Sequence, residues 1–229
     1  MGTSYISQVL DSKKMIDYFD RVYCIHYPDP IRREKIEKEF ARVGITDVEY
    51  VYANRPKGKF HITNMRRAPA AEFAVNLSHI KAVVHAIEDG AKRPVFFEDD
   101  IVFRDNANQV LTEAVKALPE DWDVLYMGGH PCDEVEQLSD NLVKVARFSF
   151  AESYAINGPA LVPYLDYWLD RIGQPQAMYD FILSGFAEAG NGYCVYPVLT
   201  HQPIGYSHIS KRNDDKRDLV KRGWVTNLT

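Results

Sequence analysis

Short apolar runs alternate along the chain with longer stretches whose apolar residues recur every three or four positions. RVYCIHY (21–27), ending at Pro28, predicts a strand. In PIRREKIEKEFARVG, Ile31, Ile36, Phe40 and Val43 lie near helical spacing, and Gly44 closes the predicted helix. DVEYVYA (47–53) alternates as a strand does, and the basic stretch NRPKGKFHITNMRRAPA reads as a loop. AAEFAVNLSHIKAVVHAIEDG predicts a second helix, stopping at Gly90. RPVFFEDDIVF (93–103) reads as one strand, NANQVLTEAVKAL as a helix, and WDVLYMGG as a strand closed by its glycine pair. FSFAESYAIN then predicts a strand, GPALVPYLDYWLDRI and QAMYDFILSGFAEAG two helices, and GYCVYPVLTHQ a last strand. This rhythm implies an α/β fold, a mostly parallel Rossmann-like sheet with helices on both faces.

One strand breaks the apolar rule. Glu98, Asp99 and Asp100 follow Val95, Phe96 and Phe97 directly, and half-buried carboxylates are costly unless something positive meets them. On a continuous strand Glu98 and Asp100 share a face, and Asp99 points to the other. Two like charges that close call for a divalent cation, and oxygen ligands suit Mn or Mg. Parallel sheets bind ligands at the carboxyl ends of their strands, where these acids lie. The competing reading is an acidic turn beside a helix N-terminus. A second pair, Asp121 and Asp123, enters a strand from a polar turn and reads first as solvated, with Asp123 a possible neighbour of the site.

Composition narrows the class. The chain has 229 residues, 46% of them hydrophobic, and a formal net charge of -5, which suits one folded domain and gives no global attraction to nucleic acid or anionic lipid. Residues 1–229 are read as a single domain, with 1–20 as an N-terminal extension and 207–229 as a C-terminal tail or lid. No long apolar run opens the sequence, so a soluble, cytoplasmic protein without a signal peptide or membrane span is expected. Cys24, Cys132 and Cys194 lack metal-type spacing and read as reduced thiols. Two local basic stretches run against the acidic total: Arg55, Lys57, Lys59, Arg66 and Arg67, and the tail from Lys211 to Arg222. They read either as solvated charge or as a clamp for a diphosphate or an anionic acceptor.

In order, these motifs resemble glycosyltransferase family 25, the lipopolysaccharide-type and collagen galactosyltransferases. The resemblance runs from about Arg21 to Ile209. VYCIHYPDPIRREKI is similar to the family's opening strand and turn, with Arg33 at its arginine. LSHIKAV resembles its Ser-His helix through Ser78 and His79, FFEDDIVF its acidic motif, and DWDVLYMGG its Trp-Asp strand. SYAINGPALVPYL resembles its Tyr-Ala strand, MYDFIL carries an aspartate at Asp180, and YPVLTHQPIGYSHI resembles the closing Pro and Gln segment with Ser207. His26 stands in place of the usual Asn, Asp29 in place of a basic residue, and Asn157 in place of a Ser.

The resemblance implies a GT-A-type transferase of a nucleotide sugar, a UDP-hexose being expected. Its acceptor would be a hydroxyl on a glycan or another polymer, a hydroxylated nucleobase included. Donor contacts are expected from His26, Tyr27, Arg33, Ala53, Asn54, Ser78, His79 and Asp99. Glu98, Asp100 and His208 are expected at the metal, with His201 competing for the third place, and Asp180 as the base. Two rivals stand beside this reading. A metal-dependent nucleotidyl or phosphoryl transferase would want a Gly-rich phosphate loop after the first strand, and CIHYPDPIRRE has none. The other is a non-catalytic binding domain on a transferase scaffold.

Overall fold

The computed structural model describes residues 17–53, 70–172, 178–203, 205–207 and 212–214. Strand and helix alternate from the start: β1 (Arg21–His26), α1 (Pro30–Val43), β2 (Glu49–Tyr52), α2 (Ala70–Glu88), β3 (Pro94–Glu98), β4 (Val102–Phe103) and α3 (Ala107–Ala117). Then come β5 (Val124–Pro131), the hairpin β6 (Glu136–Ser139) and β7 (Leu142–Lys144), and β8 (Phe148–Ile156). Helices α4 (Gly158–Leu169) and α5 (Tyr179–Ala189) lead into β9 (Gly192–Val195) and β10 (Thr200–His201). A small pair, β11 (Gly205–Ser207) and β12 (Arg212–Asp214), closes the described chain.

The main path of the sheet runs β2-β1-β3-β8-β5-β9-β7-β6. Parallel ladders join β1 to β2, β1 to β3 and β5 to β9, while β8 is antiparallel to both β3 and β5. It follows that β2, β1, β3, β5 and β9 all run one way, and the largely parallel sheet expected from the rhythm is present. Strand alternation divides the core between its faces. Tyr23, Phe96, Tyr126 and Tyr154 pack with α2, α4 and α5, whereas Cys24, Phe97, Leu125 and Ala155 pack with α1 and α3. The three cysteines are free thiols. Among the described residues no helix is long and apolar enough to cross a membrane.

Local chemistry sets the ends that matter. Asp29 caps α1, its carboxylate accepting from the Ile31 and Arg32 amides, and Gly44 ends the helix in the left-handed conformation at φ 82°. This anchors the first turn of α1 directly beyond β1.

Three boundaries differ from the sequence reading. The run 93–103 is two strands, because the chain turns at Asp99 and Asp100 and continues as β4 against β10. The glycine pair does not close β5, which runs on to Pro131. Gly128 instead permits a close crossing: a Cβ there would lie 2.2 Å from Thr200 Oγ1 and 2.6 Å from Ser153 Oγ. The last apolar run also breaks in two, with a cis Tyr196–Pro197 peptide between β9 and β10.

Candidate active site

The ends of β1 and β3 lie side by side, so His26, Tyr27 and the three acids meet at one corner. Asp99 turns inward and is 5% exposed. Its Oδ2 lies 2.8 Å from His26 Nδ1 and accepts from the Tyr27 amide at 2.8 Å, while its Oδ1 faces Arg32 Nη2 at 3.1 Å. Burial is the largest influence on this carboxyl and raises its pKa, with Arg32 pulling the other way. Asp99 therefore ties the first turn of α1 to the end of β3.

Glu98 and Asp100 face the cleft instead. Tyr179 donates its hydroxyl to Glu98 Oε1 at 2.8 Å and shares it with the Ala151 carbonyl at 2.9 Å. Burial and the nearby Glu98 charge hold the Tyr179 phenol well above its ordinary pKa, so it stays a neutral donor. His79 is 1% exposed and stacks on Tyr179 at a centroid distance of 3.6 Å. Its Nδ1 meets the Tyr154 hydroxyl at 3.0 Å, and its Nε2 lies 3.4 Å from Glu98 Oε1. Asp100 takes Arg32 Nη2 on one oxygen at 2.5 Å, and on the other the Gln202 amide at 2.9 Å. The same Gln202 Nε2 also donates to Glu98 Oε2. A neutral amide thus bridges the two carboxylates.

Asp180 occupies the first turn of α5 and is 8% exposed. It accepts backbone N–H groups of Phe150 and of Phe181, the latter at 3.0 Å. Burial pushes its carboxyl pKa up, and Glu98 adds to the rise. The Phe150 amide reaches it because β8 bulges against Gly128 and Gly129, putting Phe150 at φ 59°. Gly129, at φ 102°, has the Phe150 carbonyl where its Cβ would be, so glycine is required there.

Other expected residues stand apart from the acids. Arg33 bonds Glu37 and lies over the Tyr50 ring at 3.1 Å, so Arg32 rather than Arg33 reaches the acidic corner. Ser78 Oγ donates to the Ala74 carbonyl within α2 at 2.6 Å, which engages its one proton. Ala53 pairs its amide with the His26 carbonyl at 2.9 Å. Asp123 sits at the start of β5, the end opposite the acids, and accepts the Asn191 amide at 2.7 Å. Asn54, His208 and the first basic stretch lie outside the described residues, as does most of the tail. His201, half-buried, pairs with Val102 on β4, and burial lowers its pKa. Its neighbour Gln202, which the sequence reading placed within the closing Pro and Gln segment without giving it a role, contacts both Glu98 and Asp100.

Among the described residues no group of three or more His, Cys, Asp and Glu side chains is arranged to hold a metal ion. Glu98 and Asp100 nevertheless aim one oxygen each at a single point, held by the Gln202 amide nitrogen. The two carboxylates are hard oxygen donors of the kind Mg or Mn takes.

No family model matches the sequence, and no curated protein matches it. Solved structures do match. The fold is similar to that of a glycosyltransferase involved in glycosylation of the major capsid of PBCV-1, with a TM-score of 0.50 and 12% identity over 83% of this chain and 96% of that one. A197 from STIV matches with a TM-score of 0.43 and 13% identity, over 91% of this chain and 98% of that one. An apo UDP-glucose pyrophosphorylase matches with a TM-score of 0.42 and 8% identity, over 80% of this chain and 74% of that one. At this identity the first likeness establishes the fold alone, a mixed α/β architecture shared with a glycosyltransferase. The other two are too distant to add to it.

Proposed function

We propose that this chain is a metal-dependent, inverting glycosyltransferase that moves a sugar, a hexose, from a UDP-sugar to a hydroxyl on a glycan or other polymer. The observation that carries the reading is the grouping of three carboxyls. Glu98 and Asp100 share one donor at the end of β3, and the buried Asp180 on α5 lies near enough for the Glu98 charge to add to the rise in its pKa. The ordered motifs resembling family 25 support it, and the family itself is part of the proposal.

Each side chain has a role in this reading. Glu98 and Asp100 hold the cation, with His208 as a further ligand. A bound Mn or Mg would neutralise the diphosphate as it departs. Tyr179 and His79 fix the Glu98 carboxylate from behind, and Asp99 with His26 and Arg32 fixes the loop that carries Asp100. Asp180, ionised, takes the proton of the acceptor hydroxyl while that oxygen attacks the anomeric carbon. The bond from this carbon to the diphosphate oxygen breaks on the opposite face, and its electron pair leaves with the nucleotide. Tyr27, Arg33, Ala53, Asn54 and Ser78 remain donor-side residues in the proposal.

The test is a panel of UDP-, GDP- and CMP-sugars incubated with Mn, with nucleotide release measured with and without acceptor polymers. Metal-dependent release from one donor class is expected. Thermal stabilisation by a nucleotide sugar without any release would leave a binding domain instead.

A further inference from the structure

Gln202 follows β10, which is wedged between β4 and β5, so its backbone is fixed beside the acidic turn. Its side-chain nitrogen is shared by Glu98 Oε2 and Asp100 Oδ1, the latter at 2.9 Å. The two ends of an amide are nearly the same shape and opposite in character. Between two ionised carboxylates only the NH2 end is tolerable. With a divalent cation between them, the same position repels N–H and attracts the carbonyl oxygen. Glu98 itself is held from the other side, by the Tyr179 hydroxyl at 2.8 Å and by His79 Nε2 at 3.4 Å from its Oε1, which leaves Oε2 for Gln202.

We propose that Gln202 is a cation-switched ligand. Without metal its NH2 group donates to both Glu98 and Asp100, beside the Arg32 guanidinium that already pairs with Asp100. When the cation enters, the amide turns about its last torsion and presents Oε1, completing a Glu–Asp–Gln oxygen set. This rests on the metal-dependent reading above and deepens it by naming a further ligand of the cation. The turn is accessible because terminal amide torsions are broad rather than confined to three wells.

The experiment is Mn titration by calorimetry, with and without UDP, on the wild-type protein, Gln202→Ala and Gln202→Glu. A ligand role predicts that Gln202→Ala weakens Mn binding roughly 10-fold or more. Gln202→Glu, which restores an oxygen with added charge, should bind Mn at least as tightly as the parent. In 15N-labelled protein, the side-chain NH2 signals missing from Gln202→Ala identify this amide, and they should shift on addition of diamagnetic Mg. If Gln202→Ala binds Mn as tightly as wild type or tighter, the amide is a plug that the metal displaces, and the ligand assignment is overturned. If the wild-type protein binds neither Mn nor Mg under either condition, the metal-dependent reading fails together with it. Parent binding with unchanged Gln202→Ala binding would instead remove Gln202 alone.

Discussion

The acidic corner and the Asp180 pocket both bury carboxylates, yet they treat charge in opposite ways. At the corner every acid has a donor aimed at it: Arg32 and His26 at Asp99, Arg32 at Asp100, Tyr179 at Glu98, and Gln202 at the pair. Asp180 is held by backbone N–H groups, and Glu98 pushes against its ionisation. Burial raises the pKa of Asp99 as it does that of Asp180, but Arg32 and His26 oppose the rise at Asp99, whereas at Asp180 only backbone N–H groups do. In the proposed function these two environments give carboxylates two different jobs.

The largest effect should come from breaking the corner. Asp100→Ala is expected to lower donor turnover by about 1000-fold or more, as loss of a charged group facing the leaving diphosphate does. Its fold should survive, because Arg32 keeps its contact with Asp99. Nucleotide release at saturating Mn measures this, and near-parent rates would move the metal elsewhere.

Asp180→Asn probes the other side. It should retain Mn and donor affinity in calorimetry while kcat for transfer falls ~100-fold. In the parent, kcat should decline as pH falls through the raised pKa of Asp180, and this acid limb should vanish in the variant. Stability supplies an independent check. Because folding raises this carboxyl's pKa, its contribution to stability is full below the unfolded value and is lost as pH rises through the folded one. The permanently neutral Asn variant should therefore melt higher than the parent at about pH 8. An unchanged kcat would leave Asp180 structural.

Asp99→Ala separates scaffolding from chemistry within the corner. Removing it leaves the Tyr27 amide and His26 without their buried acceptor, which should cost on the order of 3 kcal/mol in denaturant unfolding. The smallest effect belongs to Phe150→Gly. Relief of its positive φ should raise stability by up to about 1 kcal/mol, offset by whatever its half-exposed ring contributes. A kcat loss in this variant would tie the ring to acceptor placement.

The alternation of strand and helix was legible in the sequence because apolar spacing reports burial directly. Strand direction was not, since an apolar run such as FSFAESYAI reads the same either way, and β8 proved antiparallel. The acidic motif announced itself by placing charge where its neighbours are buried. Its internal geometry was hidden, because two carboxylates facing one donor favour a turn over the straight strand that alternation predicts. The choice between Arg32 and Arg33 needed the phase of α1. Neighbouring helical residues point about 100° apart, and only the cap at Asp29 fixes that phase. Gln202 carries no charge, and nothing local in the sequence links it to acids 102 and 104 positions earlier.

The place of β8 in the sheet also bears on how the protein is made. Its neighbours on both sides, β3 and β5, are translated before it. Until residue 156 has left the ribosome, each of them offers an unpaired edge, and Phe96 and Tyr126 lack the Tyr154 strand that lies between them. A nascent chain at that stage holds the β2-β1-β3 half-sheet and a β5 without any sheet partner, since β9 and β10 are also still to come. Ribosome pausing or truncation between residues 131 and 148 should therefore yield aggregation-prone fragments, while release past Ile156 lets β8 join β3 to β5.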